Sequence, residues 1–464
     1  MNTLVTAAVT AIQLTSITAS GTYSNHRAKT PLFFAGITLA CSEGFAGIWR
    51  LDCLLLGMKM GLTRKRDLRD GDAIWTTYRV PRIVGCRLRR STHADVVVVG
   101  AGISGAMIAQ SLVAAGKKVL IVDRRRAALL GSTAASTALL QFELDTPLTK
   151  LATSIGKRSA EQVWLASRDA VNELRTRTHQ LGINAHFKSR PSLYLAGDLL
   201  DASCLAREVK HRQRIGLASE YLDRQALRHH FGINRSAALL NHGNAEANPV
   251  KLAAGYLRAA IKAGARFHAP HDVVDINCSR SGTSLLTDDG ICIHARHVVL
   301  CTGYELAKIV PNTNNRVLST WVIATRPQPG ALWPQQALIW EASEPYLYLR
   351  TTEDGRVICG GEDEDLLDTE KRNSLTVRKT GRIERKLHHL FPHLDSRAVA
   401  SWTGSFGGSP NGMPTIGQIP GFPKCYAVMG YGGNGITFSM LATRLITAEV
   451  MGKKVNEARL FAFK

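Results

Sequence analysis

A chain of 464 residues is long enough to bury more than one core, and 45% apolar with 20% charged side chains excludes a disordered or fibrous protein. The 58 Lys+Arg outweigh 37 Asp+Glu, for a formal charge of +21, yet no basic run with interleaved aromatics marks a nucleic-acid surface, so no nucleic-acid partner is expected. Nine cysteines with no C-x-x-C pair and no His/Cys cluster exclude a zinc ribbon or a disulfide framework, so the reading is a reducing, cytoplasmic setting with no metal.

Residues 1–57 read apart from the rest. The first 25 carry no charge but lack the basic start of a secretory signal. Residues 31–58 are apolar, but Glu43, Arg50 and Asp52 interrupt them, which makes a membrane anchor the weaker reading. Residues 1–66 are therefore expected to be a leader outside the fold. A polar arm with one aromatic anchor, Trp75, follows and is expected to pack on the domain beyond it.

Residues 95–99 are a β-branched apolar run, the pattern of a strand buried on both faces. Gly100, Gly102 and Gly105 then give G-x-G-x-x-G, and helical spacing continues from Ala106 to Ala115. The first glycine suits a tight turn, the second lets backbone approach a pyrophosphate, and the third lets the helix pack close to the strand. Unpaired N–H groups and the positive dipole end at that helix start favour phosphate. A second strand over 118–122 ends at Asp123, about twenty residues on, where an acid accepts hydrogen bonds from a ribose. Strand, turn, helix, strand and acid in that order predict dinucleotide binding.

Further along, 131–141 is rich in small and hydroxyl side chains that suit a flat ring and phosphate oxygens. Residues 147–181 read as one or two helices, 187–196 as a strand, 201–216 as a helix and 218–240 as a mixed connection. Asn248-Pro249 opens a helix closed by Gly264, and Asp288-Asp289-Gly290 turns a hairpin. Residues 297–303 form a buried strand ending in a glycine turn, so the nucleotide domain is interrupted and resumed. A strand-dominated region begins at 317 and holds a hairpin over 346–361, followed by a helix over 375–391. Last come a strand over 425–429, the loop Gly430-Tyr-Gly-Gly-Asn-Gly435 and a helix over 436–451. This is a second glycine loop feeding a helix start, suited to oppose negative charge on a reduced ring.

The succession G-A-G-I-S-G, G-S-T-A-A-S-T, L-C-T-G-Y, Y-L-R with D-G-R and G-G, P-T-I-G and G-Y-G-G-N-G-I-T-F-S resembles the FAD-dependent D-amino-acid oxidase/glycine oxidase/sarcosine oxidase family, from about residue 67 onward. The resemblance implies an α/β fold: a discontinuous Rossmann-like FAD-binding domain plus an α+β substrate domain with a mostly antiparallel sheet. The expected FAD-binding parts are 67–180, 246–316 and 401–464, and the substrate parts 181–245 and 317–400. By family position Gly100, Ala101, Gly102, Ile103, Ser104 and Gly105 hold the pyrophosphate, with Asp123 and Arg124 at the ribose. Thr133, Ala135, Ser136 and Thr137 line the flavin, and Val274 offers backbone near adenine. Thr302 and Gly303 border the cofactor, and Gly433, Asn434, Gly435, Ile436 and Thr437 cover the pyrimidine side. Arg350 would grip a substrate carboxylate in a bidentate fork, with Tyr346 and Tyr348 on the same strand face.

Two departures bear on chemistry. Phe406-Gly-Gly replaces the cysteine that attaches flavin covalently in some members, so FAD is expected to be noncovalent. No lysine occurs over 317–325, where fast oxygen users carry one, which leaves oxygen or a quinone-type carrier as acceptor. The expected activity is oxidation of a small amine or amino acid by hydride transfer to flavin N5, with hydrolysis of the imine. The alternatives are a flavoenzyme acting on a modified tRNA base, an NAD-linked dehydrogenase and a flavin-binding subunit of a larger complex.

Overall fold

The computed structural model describes residues 61–80, 82–311 and 315–463. The membrane-anchor reading of 31–58 lies outside them. Among the described residues no helix is long and apolar enough to cross a membrane.

The fold is α/β. The described strands make two sheets, one of eight strands and one of ten. The apolar run predicted at 95–99 becomes Thr92–Val99, the central strand of the first sheet, and Val96, Val97 and Val98 are fully buried. Parallel to it run Val119–Val122 on one side and Cys292–Leu300 on the other. Arg266–His268 extends one flank, and Cys425–Met429 extends the other. Parallel strands need crossovers, and the helices Ile103–Ala114, Pro249–Lys262 and Gly435–Val450 supply apolar faces to one shared core. The hairpin at 288–290 forms as expected, between Thr283–Thr287 and Cys292–Leu300.

The second sheet is antiparallel except where Leu338–Glu341 runs parallel to Lys188–Leu195. At its centre Arg316–Thr325 lies between Val357–Glu364 and Ala398–Gly408. The helix Thr376–Leu390 covers its outer face through Ile383 and Leu387.

Three boundaries differ from expectation. Residues 62 and 63 belong to the fold: Leu62 N–H bonds to Val273 O at 3.3 Å, and Thr63 bridges Ala307. Their apolar contacts reach the parallel sheet, which a motif reading does not register. The arm joins the antiparallel sheet, because Arg69–Gly71 pairs with Trp402–Gly404 and supplies an edge strand. Ala398–Gly408 lies wholly in that sheet as well, so one strand runs across the expected boundary at 401.

Trp75 fixes the arm. Its ring is 2% exposed among Val322, Ile358 and Trp402, and its Nε1–H donates to Ser136 O at 2.7 Å. Replacing Trp75 with Ala should cost about 3–5 kcal/mol. The expected readout is a lower denaturant midpoint at unchanged slope.

Candidate functional site: one cavity between two glycine turns

The first glycine turn is shaped by sterics. Gly100 has φ +109°, and a Cβ there would strike the carbonyl oxygen of Cys301. A Cβ on Gly105 would run into the carbonyl oxygen of Gly100, so the helix start can approach the turn only without a side chain. Gly102, Ile103 and Ser104 line a cavity with Gly100, while Ala101 and Gly105 are buried behind it. Ala101 still takes part: its N–H donates to Asp123 Oδ2 at 2.7 Å. Asp123 Oδ1 accepts the N–H of Arg125 at 2.8 Å. The carboxylate therefore ties the turn to the second strand while also lining the cavity, and burial pushes its pKa up.

Next along the wall, Arg124 and Arg125 both pair with the carboxylate of Glu305, which is almost fully buried. Arg124 also donates to Thr63 Oγ1 at 3.0 Å. Thr302 and Gly303 line this part too. Val274 does not. His271, Asp272 and Val273 do, because the strand Val273–Cys278 turns Val273 inward and leaves the next residue on its other face.

The middle of the cavity is walled by the loop that contains Thr133, Ala135, Ser136 and Thr137, all of which line it. Thr133 Oγ1 accepts the N–H of Ile103 at 3.1 Å. Arg350 is the main correction. It shares a sheet face with Tyr348, as alternation requires, but lies two residues further along, about 6.8 Å, where the face has left the cavity. Its guanidinium is buried and donates to Thr137 O, Ala138 O and Ala247 O at 3.2, 3.1 and 2.7 Å, with Nε to Thr351 O. Glu246 balances its charge at 3.5 Å. A side chain so engaged holds the loop and has no fork left for a carboxylate.

The far end is built by the second glycine turn and the antiparallel sheet. Gly433, Asn434, Gly435 and Ile436 line the cavity, whereas Thr437 bonds Gln141 O at 2.9 Å and lies behind it. The two glycine turns are directly joined: Ser104 Oγ bonds Tyr431 Oη at 3.0 Å and Ser439 Oγ at 2.8 Å. Opposite stand Tyr346 and Tyr348, with Tyr348 Oη 3.0 Å from Thr320 Oγ1. Burial raises both phenol pKa values, so both stay neutral.

Sequence reading missed Gln141, Glu143 and Asp145, which line this end. The signal was present. Polar 141, 143 and 145 alternate with Leu140, Phe142 and Leu144, which enter the main core.

The cavity suits an extended dinucleotide. Positions 100 and 105 of the cradle admit no side chain, and the buried Gln141 Nε2 has no partner within the described protein. Comparison with known proteins agrees. A family model described as FAD dependent oxidoreductase matches residues 95–449, and the chain belongs to that family. FAD is accordingly its cofactor. In sequence the chain is similar to the probable oxidoreductase OrdL of Haemophilus influenzae, 21% identical over 394 residues, covering 81% of this chain and 86% of that protein. It is also similar to the glycine oxidase of Geobacillus kaustophilus, 26% identical over 394 residues, covering 80% and 97%. Among solved structures, L-proline dehydrogenase from P. horikoshii matches with a TM-score of 0.67 at 18% identity, over 81% of this chain and 97% of that one.

Gly105→Ala should destabilise the protein by about 1–3 kcal/mol and strip FAD from it, as read by flavin absorbance after gel filtration. Arg350→Met should cost at least about 3 kcal/mol. It should also weaken FAD retention and depress turnover of carboxylate-bearing and uncharged amines alike, a pattern a carboxylate fork would not give.

Proposed function

We propose that this chain oxidises the C–N bond of a small amine or amino acid. The observation that supports it best is a single cavity with both glycine turns on its walls and a sheet of aromatic residues across one end. Two turns facing one space suit a cofactor with a pyrophosphate at one point and a reducible ring at another.

When bound, FAD supplies a two-electron acceptor for the hydride on the carbon that carries nitrogen. The other tasks fall to the protein. N–H groups at the start of Ile103–Ala114 hold the pyrophosphate noncovalently. Each oxygen of Asp123 keeps a lone pair for a ribose hydroxyl, with Arg124 beside it. Thr133, Ala135, Ser136 and Thr137, which line the cavity, would hold the flat ring, and the start of Gly435–Val450 would oppose negative charge on it.

Tyr346, Tyr348, Trp340 and Thr320 shape the space left for substrate. Their role is alignment, holding a C–H bond about 3–3.5 Å from the accepting atom. The buried neutral phenols serve as donors and walls, not as bases. The imine product needs only water to hydrolyse.

The acceptor that reoxidises the cofactor is a quinone-type carrier or oxygen. The strand Arg316–Thr325 carries no lysine. Lys379, whose ammonium lies 4.9 Å from the Trp321 ring centroid, is held by Glu362 O and Glu364.

Protein reconstituted with FAD should show bound-flavin absorbance that bleaches when amines are added without oxygen. Bound flavin that no amine or amino acid reduces would overturn the proposal. Readmitting oxygen or a quinone then shows which restores the colour.

A further inference from the structure

The walls of the cavity are electrically uneven. Among the described residues that line it, the arginines are Arg124 and Arg125, both committed to Glu305 at the dinucleotide end. The substrate end has no lysine or arginine on its walls. It has Glu143 and Asp145, set among Trp340, Tyr346 and Tyr348.

Glu143 is 1% exposed. Its Oε1 accepts from Ser192 Oγ, whereas its Oε2 is buried and has no partner, and the residue lines the cavity. The neighbouring cation, Arg212, is shared: Nε bonds Glu208 at 2.9 Å, Nη1 bonds Asn241 at 3.2 Å, Nη2 has no partner, and its charge partly offsets the burial of Glu143. Asp145 has one recorded bond, accepting the N–H of Gly433 at 3.0 Å. Asp363 sits behind Tyr346 and Thr320, and burial raises its pKa to about 6. Burial likewise raises those of Glu143 and Asp145. One guanidinium cannot balance both Glu208 and Glu143, and a carboxylate left in excess in such a place is costly unless a further cation meets it. Aromatic faces add to the same preference, since their quadrupoles attract ammonium groups.

We propose that the substrate end of the cavity is a cation subsite. The amine oxidised here then carries a second positively charged nitrogen, as a linear diamine or polyamine does, and Glu143 binds that distal group. This deepens the amine-oxidising reading and rests on it. It also explains a wall without a carboxylate-binding arginine: a substrate of this class has no carboxylate to grip.

The test separates binding from turnover. The probe is 2,5-dimethylhexane-2,5-diamine, a dication with no hydrogen on the carbons that bear nitrogen, titrated into FAD-loaded protein by calorimetry and flavin absorbance. Benzoate is the anionic control. The expected result is binding of the dication with a shifted flavin spectrum, weakened roughly tenfold or more by Glu143→Gln and less by Glu143→Asp, at unchanged FAD content. Preferential binding of benzoate by the native protein would overturn the proposal without any variant. So would equal dication affinity in native protein and E143Q.

Turnover then divides the two readings. Anaerobic bleaching should be faster with 1,4-diaminobutane than with glycine or sarcosine. If the amino acids bleach the flavin and the diamine does not, the subsite falls and amine oxidation stands. If the dication binds but no amine of either kind bleaches the flavin, oxidation falls and the subsite stands.

Discussion

Three hydrogen-bond donors on the antiparallel side clamp the carbonyl oxygens of one short loop. Trp75 takes Ser136 O, Trp402 takes Ala135 O at 3.0 Å, and Arg350 takes Thr137 O and Ala138 O. The loop has almost no side-chain mass of its own, so it cannot hold its shape by packing. Its carbonyls would also be buried without partners if the donors were removed. Because the loop forms the middle wall of the cavity, the clamp joins the antiparallel sheet at one end to the first glycine turn at the other. The arm and its edge strand are part of the same device.

Along the cavity, charge is sorted by segment. Asp123, Arg124, Arg125 and Glu305 form a closed network of donors and acceptors at one end, with cations and anions paired. At the other end the carboxylates outnumber the cations able to answer them. That contrast comes from local sequence: the run after Asp123 is basic, whereas 141, 143 and 145 put two acids and an amide on one side of a short extended stretch. The family fold provides the channel, and this stretch gives its far end a sign.

Both glycine turns were legible because their signals are steric and local. Gly100, Gly102 and Gly105 followed a β-branched run, and Gly433 to Gly435 preceded a helix; both placements follow from backbone requirements that few residues meet. Arg350 was misread for a different reason. Alternation gave its face correctly, but a pattern of period two says nothing about where along a strand a cavity stops. Val274 failed by the same limit at a single residue. The place of Leu62 and the edge strand of the arm were not legible because their partners, Val273 and Trp402, lie hundreds of residues away. Gln141, Glu143 and Asp145 are readable by strict alternation with Leu140, Phe142 and Leu144.

The strand order of the eight-stranded sheet carries a consequence for biosynthesis. Cys425–Met429 adds to the flank of Cys292–Leu300, and Gly435–Val450 packs on the helix that begins at Ile103. A nascent chain thus exposes the first glycine turn long before the ribosome has made the second, and loop closure of that length is slow. A cavity with both turns on its walls cannot close before Gly435–Val450 has been made. Until then, the emerging polypeptide must keep a half-built pocket from sticking to its neighbours.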